Sequence, residues 1–425
     1  MTNTPSRRTA LKMGAAGLAT LSFPTIIKAQ TMASWVPDEA KLDAMRAAMR
    51  EFAVPGVGIA MLEDGEVAWE GSFGFANIET GARIKPDTLF QAASLTKPLF
   101  AYTVMRMVED EVIGFDDRLA DYFRPDDFVD TEWNRAITVR HVLTHRTGWP
   151  NWRADDPEDE NVPLVGKFEP GSAYSYSGEA FCWLQQVCET ITGVGLQALV
   201  SRYVFEPAGL TDMSMSWLPQ RDDREVYGHI IGENGEAQLA DFQVARRRGR
   251  LMQQVAETWG RPIEEWRFTD MLAANAVMDR SGDERYAEQP LWRLNRPGVW
   301  AISSPASLRT TPADYARFIA LSLGGASKGL LQEETRREML TVQTPPAPDA
   351  GGPNRPVGIG WSLEMRSGGV AFDHWGFNQR RHISSGLGDT SNRKGLVMMT
   401  NGPRGNAFMD KIGPVLTGIP YRSYV

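Results

Sequence analysis

The chain has 425 residues, of which 42% are hydrophobic and 23% charged, so it has enough apolar material for a large folded core. Its 53 acidic side chains outnumber the 45 basic ones and give a net charge of −8, which argues against nucleic acid as a partner. The two cysteines, Cys182 and Cys188, lie on different faces of a predicted helix, so we expect no disulfide between them and no cysteine metal cluster.

The N-terminus carries a pattern typical of protein export. Ser6 to Lys12 reads S-R-R-T-A-L-K, a twin-arginine signature, and the apolar run Met13–Ile27 that follows it is too short for a comfortable membrane span. We therefore expect residues 1–30 to be a signal peptide cleaved near Ala29, leaving residues 31–425 as a periplasmic or secreted protein without a stable membrane anchor. The alternative is a basic amphipathic helix that belongs to the fold.

The first part of the mature chain predicts a helix, a β-hairpin and a second helix. Apolar residues recur at three- and four-residue steps through Pro37–Phe52, which indicates an amphipathic helix. The β-rich runs Val57–Leu62 and Val67–Gly71 flank an Asp-Gly turn, which is a hairpin signal. Helical periodicity returns in Leu95–Val112 and again in residues 180–203.

The centre and the end of the chain have different patterns. Residues 221–295 are rich in charge and tryptophan, with helical stretches and without alternating turns and strands, so we predict a helical insertion there. Four runs near the C-terminus predict strands and are followed by a short helix; the strands are Gly358–Glu364, Val370–His374, His382–Leu387 and Gly395–Thr400. The predicted fold class is α/β of the α+β type. A mostly antiparallel sheet formed by both chain ends is flanked by helices, with a central helical subdomain.

A candidate nucleophile lies at the start of the predicted helix Leu95–Val112. Ser94 and Lys97 form an S-x-x-K pattern, and residues three apart share a helix face, so the amine can reach the serine hydroxyl. A lysine with an ordinary pKa of about 10.4 is a poor base at neutral pH, but burial and the positive end of the helix dipole both disfavour its charged form. The spacing alone is common and also fits a capped helix with a surface lysine.

A second motif gives the chain a family resemblance. Pro170-Gly171 precedes Tyr174 and then Tyr176-Ser177-Gly178, and this pattern resembles the Tyr-x-Asn motif of the serine β-lactamase-like superfamily. That superfamily includes class C β-lactamases, penicillin-binding DD-peptidases and esterases of the same fold. The resemblance implies Tyr176 as the catalytic tyrosine. Gly178 stands where the family has an Asn that contacts the substrate amide and the lysine, which favours esters over amides and β-lactams.

A third motif occupies the place of the family's K-T-G strand. The sequence His374-Trp375-Gly376 is similar to the H-x-G variant found in many esterases, and Gly376 would let the strand edge approach the substrate. The resemblance implies that Phe377 offers its backbone N–H, with that of Ser94, as an oxyanion hole. We expect Trp375 and Gly376 to border the substrate.

Further matches support the fold and leave one position open. Val139–Gly148 is similar to the family's "LLTHTSG" segment and Leu308–Phe318 to its "TTA-DLARF" segment. We interpret His141 and His145 as structural. Arg380 lies where the family commonly has Pro-Gly-Phe and is a candidate for binding an anionic substrate group; the competing and preferred interpretation is a surface hairpin tip.

Together the motifs predict an exported serine hydrolase with Ser94, Lys97, Tyr176 and His374 as catalytic residues and with no cofactor or metal. The expected partner is a small-molecule ester or a peptide-like substrate, and the oligomeric state stays open. A carboxylesterase-like activity is the first hypothesis, and a D-amino-acid peptidase or a β-lactamase-type amide hydrolase is the second. A catalytically silent binding protein is the third. The tryptophans of residues 221–295, Trp259 and Trp266 among them, suggest a cap that narrows the acyl pocket.

Overall fold

The computed structural model describes residues 34–152, 163–240, 243–280, 302–324, 329–347, 354–378 and 380–419. The predicted signal peptide, residues 1–30, lies outside these ranges. The strands are β1 (Gly56–Glu63), β2 (Glu66–Asn77), β3 (Ala82–Arg83), β4 (Phe90–Gln91), β5 (His229–Ile231), β6 (Ala237–Leu239), β7 (Arg309–Thr310), β8 (Ser362–Arg366), β9 (Gly369–Asn378), β10 (His382–Asp389) and β11 (Lys394–Thr400).

The helices alternate with these strands and dominate the middle of the chain. They are α1 (Glu39–Glu51), α2 (Thr96–Glu109), α3 (Glu132–Ala136), α4 (Val139–Leu143), α5 (Gly178–Thr192), α6 (Leu196–Val200), α7 (Glu206–Ala208), α8 (Val244–Trp259), α9 (Phe268–Arg280), α10 (Pro312–Leu323), α11 (Glu333–Met339) and α12 (Gly405–Thr417). None of the helices in the described ranges combines the length and the apolar character that a membrane span requires.

The main sheet joins the two ends of the chain. Its strand order is β3-β2-β1-β11-β10-β9-β8, and every neighbouring pair is antiparallel. The early strand β1 pairs directly with the last strand β11, with Ile59 opposite Met398. The predicted antiparallel sheet built from both chain ends is confirmed.

The β1–β2 hairpin follows the turn signal in its sequence. Asp64 and Gly65 both have positive φ angles, 53° and 81°, as a tight two-residue hairpin turn requires. Glycine reaches this region freely and aspartate tolerates it, so the Asp-Gly pair fixes where the chain reverses.

Alternating residues of the central strands supply two separate cores. Val57, Ile59 and Met61 of β1 pack on the face that α1 and α12 cover, while Ala60 and Leu62 belong to the larger core with α2, α5 and α10. Successive side chains of a strand point to opposite faces, so a strand buried on both sides is apolar, as β1 is up to its last residue, Glu63. The sheet therefore lies between two helical layers.

The segment predicted as a helical insertion, residues 221–295, also contains a hairpin. Strands β5 and β6 pair with Ile230 opposite Gln238, around a turn in which Gly235 has a φ of +80°. The Asn-Gly dipeptide at 234–235 is a turn signal that the prediction of a helical insertion overlooked.

Two tryptophans of this segment lie against each other. The rings of Trp259 and Trp266 lie 5.0 Å apart, and Trp266 is buried. The nearby Phe268 N–H donates a 2.7 Å hydrogen bond to Glu189, which is about 16 Å along α5 from Gly178 at its N-terminus. The start of α9 is therefore bonded to the far end of α5, and Trp266 belongs to the core. Residues 281–295 lie outside the described ranges, and a cap that narrows the acyl pocket stays a prediction.

Candidate active site

Ser94 lies in a tight turn that leads into α2. The 3₁₀ turn Ala93–Leu95 runs directly into α2, and Ala93 has a positive φ of 50°. The Thr96 hydroxyl holds the turn closed by donating to the Ala93 carbonyl at 2.5 Å, and it accepts the Leu308 N–H at 3.2 Å. The predicted position at a helix start is what the structure shows, and the Ser94 side chain remains partly exposed.

Lys97 lies one helical turn after Ser94 and points at it. Its Nζ donates to Ser94 Oγ at 3.2 Å and to the Pro305 carbonyl at 3.1 Å, while the side chain is fully buried. Burial disfavours the ammonium form and lowers the pKa of Lys97 to about 7, and an opposing influence of Cys182 is smaller. A neutral amine can keep one N–H on Pro305 and direct its lone pair at the serine hydroxyl.

Tyr176 approaches the Ser94–Lys97 pair from a different element. Lys97 Nζ, which donates to Ser94 Oγ, lies 4.6 Å from the centre of the tyrosine ring. Burial raises the pKa of Tyr176 above its ordinary value, so the phenol keeps its proton at neutral pH. The Ser94 hydroxyl is thus bonded to an amine that also lies against the Tyr176 ring, which is the grouping that the resemblance implies.

His374 approaches from β9 as a neutral acceptor. Its Nδ1 lies 2.8 Å from the Trp375 carbonyl oxygen, which can only accept, so Nδ1 carries the proton and Nε2 has a lone pair. Burial, together with the nearby Lys97, lowers the pKa of His374 to about 3. The His374 and Tyr176 rings lie 6.2 Å apart, and both side chains are partly exposed.

Gly376 brings β9 against the nucleophile turn. A Cβ placed on Gly376 would overlap the Ala92 carbonyl oxygen and lie 3.1 Å from the Ser94 nitrogen. The strand edge therefore passes beside the Ser94 amide at a distance that only glycine permits. The following residue is Phe377, whose predicted oxyanion-hole N–H remains a prediction.

Two residues expected near the substrate are placed differently. Trp375 alternates with His374 and Gly376, so its side chain faces the core formed with α1 and α12, where it stacks on Phe377 at a centroid distance of 6.4 Å. Only its backbone carbonyl meets the site, through His374. Arg380 is exposed at the β9–β10 turn with a φ of 53°, as expected of a hairpin tip, and among the described residues no hydrogen bond or ion pair links it to the site.

His145 lies closer to the site than its structural interpretation implied. Its ring lies 4.3 Å from that of Tyr176, and its Nδ1 accepts the Ser177 N–H at 3.1 Å. Burial, with Lys97 and His374 nearby, lowers the pKa of His145 well below its ordinary value, so the imidazole is neutral. A single His-Arg-Thr-Gly stretch gives no signal for this placement, because it depends on two loops meeting. By contrast, His141 caps α4 by accepting the Thr138 N–H, which is a structural role.

Gly178, the position where the family has Asn, begins α5 beneath an aromatic ring. Its N–H donates to the Asn151 side-chain oxygen at 3.0 Å, and a Cβ on Gly178 would overlap the indole of Trp152. The residue type at 178 is therefore set by a neighbour that lies 26 residues earlier in the chain. Sequence reasoning identified the missing amide but did not find Trp152, since nothing local links the two.

The described residues contain no group of three or more His, Cys, Asp or Glu side chains arranged to hold a metal ion. The site as described consists of a serine, a buried amine, a phenol and a neutral imidazole. This set defines a serine nucleophile with its own proton-transfer groups.

Comparison with known proteins places the chain in a family. A family model described as Beta-lactamase matches residues 43–416, so the chain belongs to the beta-lactamase family. A class C β-lactamase from Rhodobacter sphaeroides has the same fold, with a TM-score of 0.63 over 90% of this chain and 99% of that one at 14% identity. The resemblance stated from the motifs and the predicted fold class are both confirmed.

Curated relatives differ in their named activities. Penicillin-binding protein 4* of Bacillus subtilis is 26% identical over 193 residues, which are 41% of this chain and 42% of that protein. Esterase EstB of Burkholderia gladioli is 32% identical over 200 residues, covering 41% and 50%. A D-aminopeptidase of Brucella anthropi is 29% identical over 209 residues, covering 45% and 38%. The matches span half or less of the length of these relatives.

Proposed function

We propose that the protein is a serine hydrolase that forms an acyl-enzyme at Ser94 and acts on small carboxylic esters. The observation that carries the proposal is the buried Lys97 amine, 3.2 Å from Ser94 Oγ and with a pKa of about 7. A base is most effective when its pKa lies near the working pH, and this one is within hydrogen-bond reach of the proton it must remove.

Acylation begins with proton transfer from Ser94 to Lys97. As the Oγ–H bond breaks, Oγ forms a bond to the substrate carbonyl carbon, and the carbonyl π electrons move onto its oxygen. The backbone N–H groups of Ser94 and Phe377 are the proposed donors to that oxyanion, with Gly376 holding the strand against the turn.

Collapse of the tetrahedral intermediate releases the alcohol. The C–O bond to the leaving group breaks, the protonated Tyr176 phenol donates to the departing alkoxide, and the Lys97 ammonium returns a proton to the phenol. Water then attacks the acyl-enzyme through the same groups in reverse, which yields the carboxylic acid and restores Ser94. This direction of transfer agrees with the raised pKa of Tyr176, which makes Lys97 the resting base.

His374 supports this network as a hydrogen-bond acceptor. Its Nδ1 proton is held by the Trp375 carbonyl, so Nε2 is left with a lone pair. Through Nε2 the neutral ring can accept a hydrogen bond from the substrate or from Tyr176, but it cannot donate one. We assign it a positioning role.

Ester substrates are preferred over amides because position 178 carries no amide side chain. The similarity to Esterase EstB supports this choice. The second candidate is hydrolysis of D-amino-acid amides or peptides, and the similarity to a D-aminopeptidase favours it. We extend the same proposal to export: the Ser6–Lys12 signature supports transport to the periplasm or outside the cell.

Burst kinetics test the chemistry directly. Purified protein mixed with p-nitrophenyl acetate should release a burst of p-nitrophenol equal to the enzyme concentration, and intact mass during turnover should show an added acetyl group. Ser94→Ala should show neither, while Ser72→Ala, on strand β2, should behave as the wild type. Equal behaviour of wild type and Ser94→Ala would overturn the proposal and favour a silent binding protein.

Two further measurements separate the remaining alternatives. Cleavage of D-alanyl-p-nitroanilide at a kcat/KM above that for p-nitrophenyl acetate would replace esters by D-amino-acid substrates. For export, N-terminal sequencing of the protein from a periplasmic fraction should begin near Gln30 or Thr31. Replacing Arg7 and Arg8 by lysine should leave the full-length chain in the cytoplasm.

A further inference from the structure

Residues 149–152 are hydrogen-bonded to residues 175–178, the segment that carries Tyr176 and leads into α5. The Ser177 hydroxyl donates to the Pro150 carbonyl at 2.8 Å, and the Gly178 N–H donates to the Asn151 carbonyl at 3.1 Å. These bonds run side by side, so residues 149–152 follow residues 175–178 in space. They fix the position of Trp152 at the end of the loop.

The indole of Trp152 covers the position where a side chain at 178 would begin. Ser177 has an extended backbone, with φ −139° and ψ 115°, so residues 176 and 178 direct their Cβ positions to the same side. The Tyr176 ring on that side lies 4.6 Å from Lys97 Nζ, which is bonded to Ser94 Oγ at 3.2 Å. A Cβ on Gly178 would lie 2.7 Å from the Cζ2 and Cζ3 atoms of Trp152, well inside contact distance.

Trp152 also has the exposure of a pocket wall. It packs against the main core on one side yet remains partly exposed, as do Ser94 and Tyr176. The neighbouring Trp149 is different, because it is buried and stacks on Trp183 at 4.9 Å. Trp149 therefore stabilises the core, whereas Trp152 presents part of its aromatic surface to solvent.

We propose that Trp152 is a specificity-determining residue that forms an apolar wall beside Ser94 and selects esters with alkyl or aryl acyl groups. The inference rests on the proposed function, since it assumes turnover at Ser94. Ring carbons offer no hydrogen bond, so a substrate amide placed against them loses its water without gaining a partner, whereas an alkyl or aryl group gains contact area. Gly178 makes room for the indole and at the same time removes the amide side chain that the family places there.

The test compares acyl groups on one leaving group. Let R be kcat/KM for p-nitrophenyl hexanoate divided by kcat/KM for p-nitrophenyl acetate. In Trp152→Ala, R should fall about tenfold, as expected when an apolar pocket loses a wall. The p-nitrophenyl ester of N-acetylglycine carries an amide in its acyl chain. In Trp152→Ala, its kcat/KM divided by that of the hexanoate should rise by a similar factor. Trp133→Ala removes a 40% exposed tryptophan from α3 and serves as the control that should leave R unchanged.

Two more variants guard against a folding defect. Trp152→Phe keeps an aromatic wall and should retain R within about threefold. Gly178→Ala should displace the indole and lower R as Trp152→Ala does, although the tryptophan is still present. If Trp152→Ala and Gly178→Ala both give normal bursts and both keep the wild-type R, the proposed role of Trp152 is refuted. Loss of the burst in the wild type would instead refute the proposed function.

Discussion

The ionisation of Lys97 gives the sharpest prediction. With its ordinary pKa of 10.5, about one lysine in 3,000 would be neutral at pH 7, whereas with a pKa of about 7 half of the molecules carry the free amine. Burial thus increases the active base about 1,500-fold at neutral pH, which corresponds to about 4 kcal/mol. Because the neutral form is the active one, kcat/KM should rise with pH and reach half of its plateau near pH 7.

The perturbation is Lys97→Arg, since a guanidinium stays protonated at every pH of the assay. We expect kcat/KM for p-nitrophenyl acetate to fall at least 1,000-fold, in line with loss of a general base and its positioning. The rising limb near pH 7 should disappear. Lys85→Arg, at an exposed position, should reproduce the wild-type profile.

The assay is a pH–rate profile from pH 5 to 10 with the folded state checked by circular dichroism at each pH. A wild-type profile that is flat between pH 6 and 8 would refute the assignment of Lys97 as the resting base. So would a Lys97→Arg variant that keeps more than a tenth of the activity with the same rising limb.

Four further changes test other parts of the site and the fold. Tyr176→Phe keeps the ring but loses the phenol proton, so kcat should fall about 100-fold or more. The rate of the p-nitrophenol burst, measured by stopped flow, should also fall. Gly376→Ala should push β9 away from the Ser94 amide and lower kcat/KM about 100-fold. Gly329→Ala is the control, because a Cβ there would meet no atom nearer than 3.4 Å. Asn134→Ala removes 2.7 Å and 2.8 Å hydrogen bonds in the core and should cost about 3 kcal/mol in urea unfolding. Between pH 6.5 and about 3 the unfolded chain binds a proton at His374 that the folded chain does not bind. Thermal stability should therefore decrease as the pH is lowered from 6.5 to 3, and it should decrease less in His374→Gln.

Local sequence patterns were enough to predict much of the secondary structure and the Ser94–Lys97 pair. The Asp64-Gly65 turn, the periodicity of α1 and α2, and the i, i+3 spacing of Ser94 and Lys97 all depend on residues close in sequence, and each was found where the pattern put it. The order of elements along the chain, with strands at both ends and helices between them, was enough to predict a sheet closed by both chain ends.

The tertiary structure decided what surrounds the nucleophile. The side chain of Trp375 turns away from the site because strand alternation fixes its face once His374 faces inward. His145 meets the Tyr176 ring, and Trp152 meets Gly178, across 31 and 26 residues of chain. No periodicity specifies such contacts, since they arise from hydrogen bonds between loops. The sequence by itself therefore identified the candidate reacting groups, and only the folded chain determined which side chains surround them.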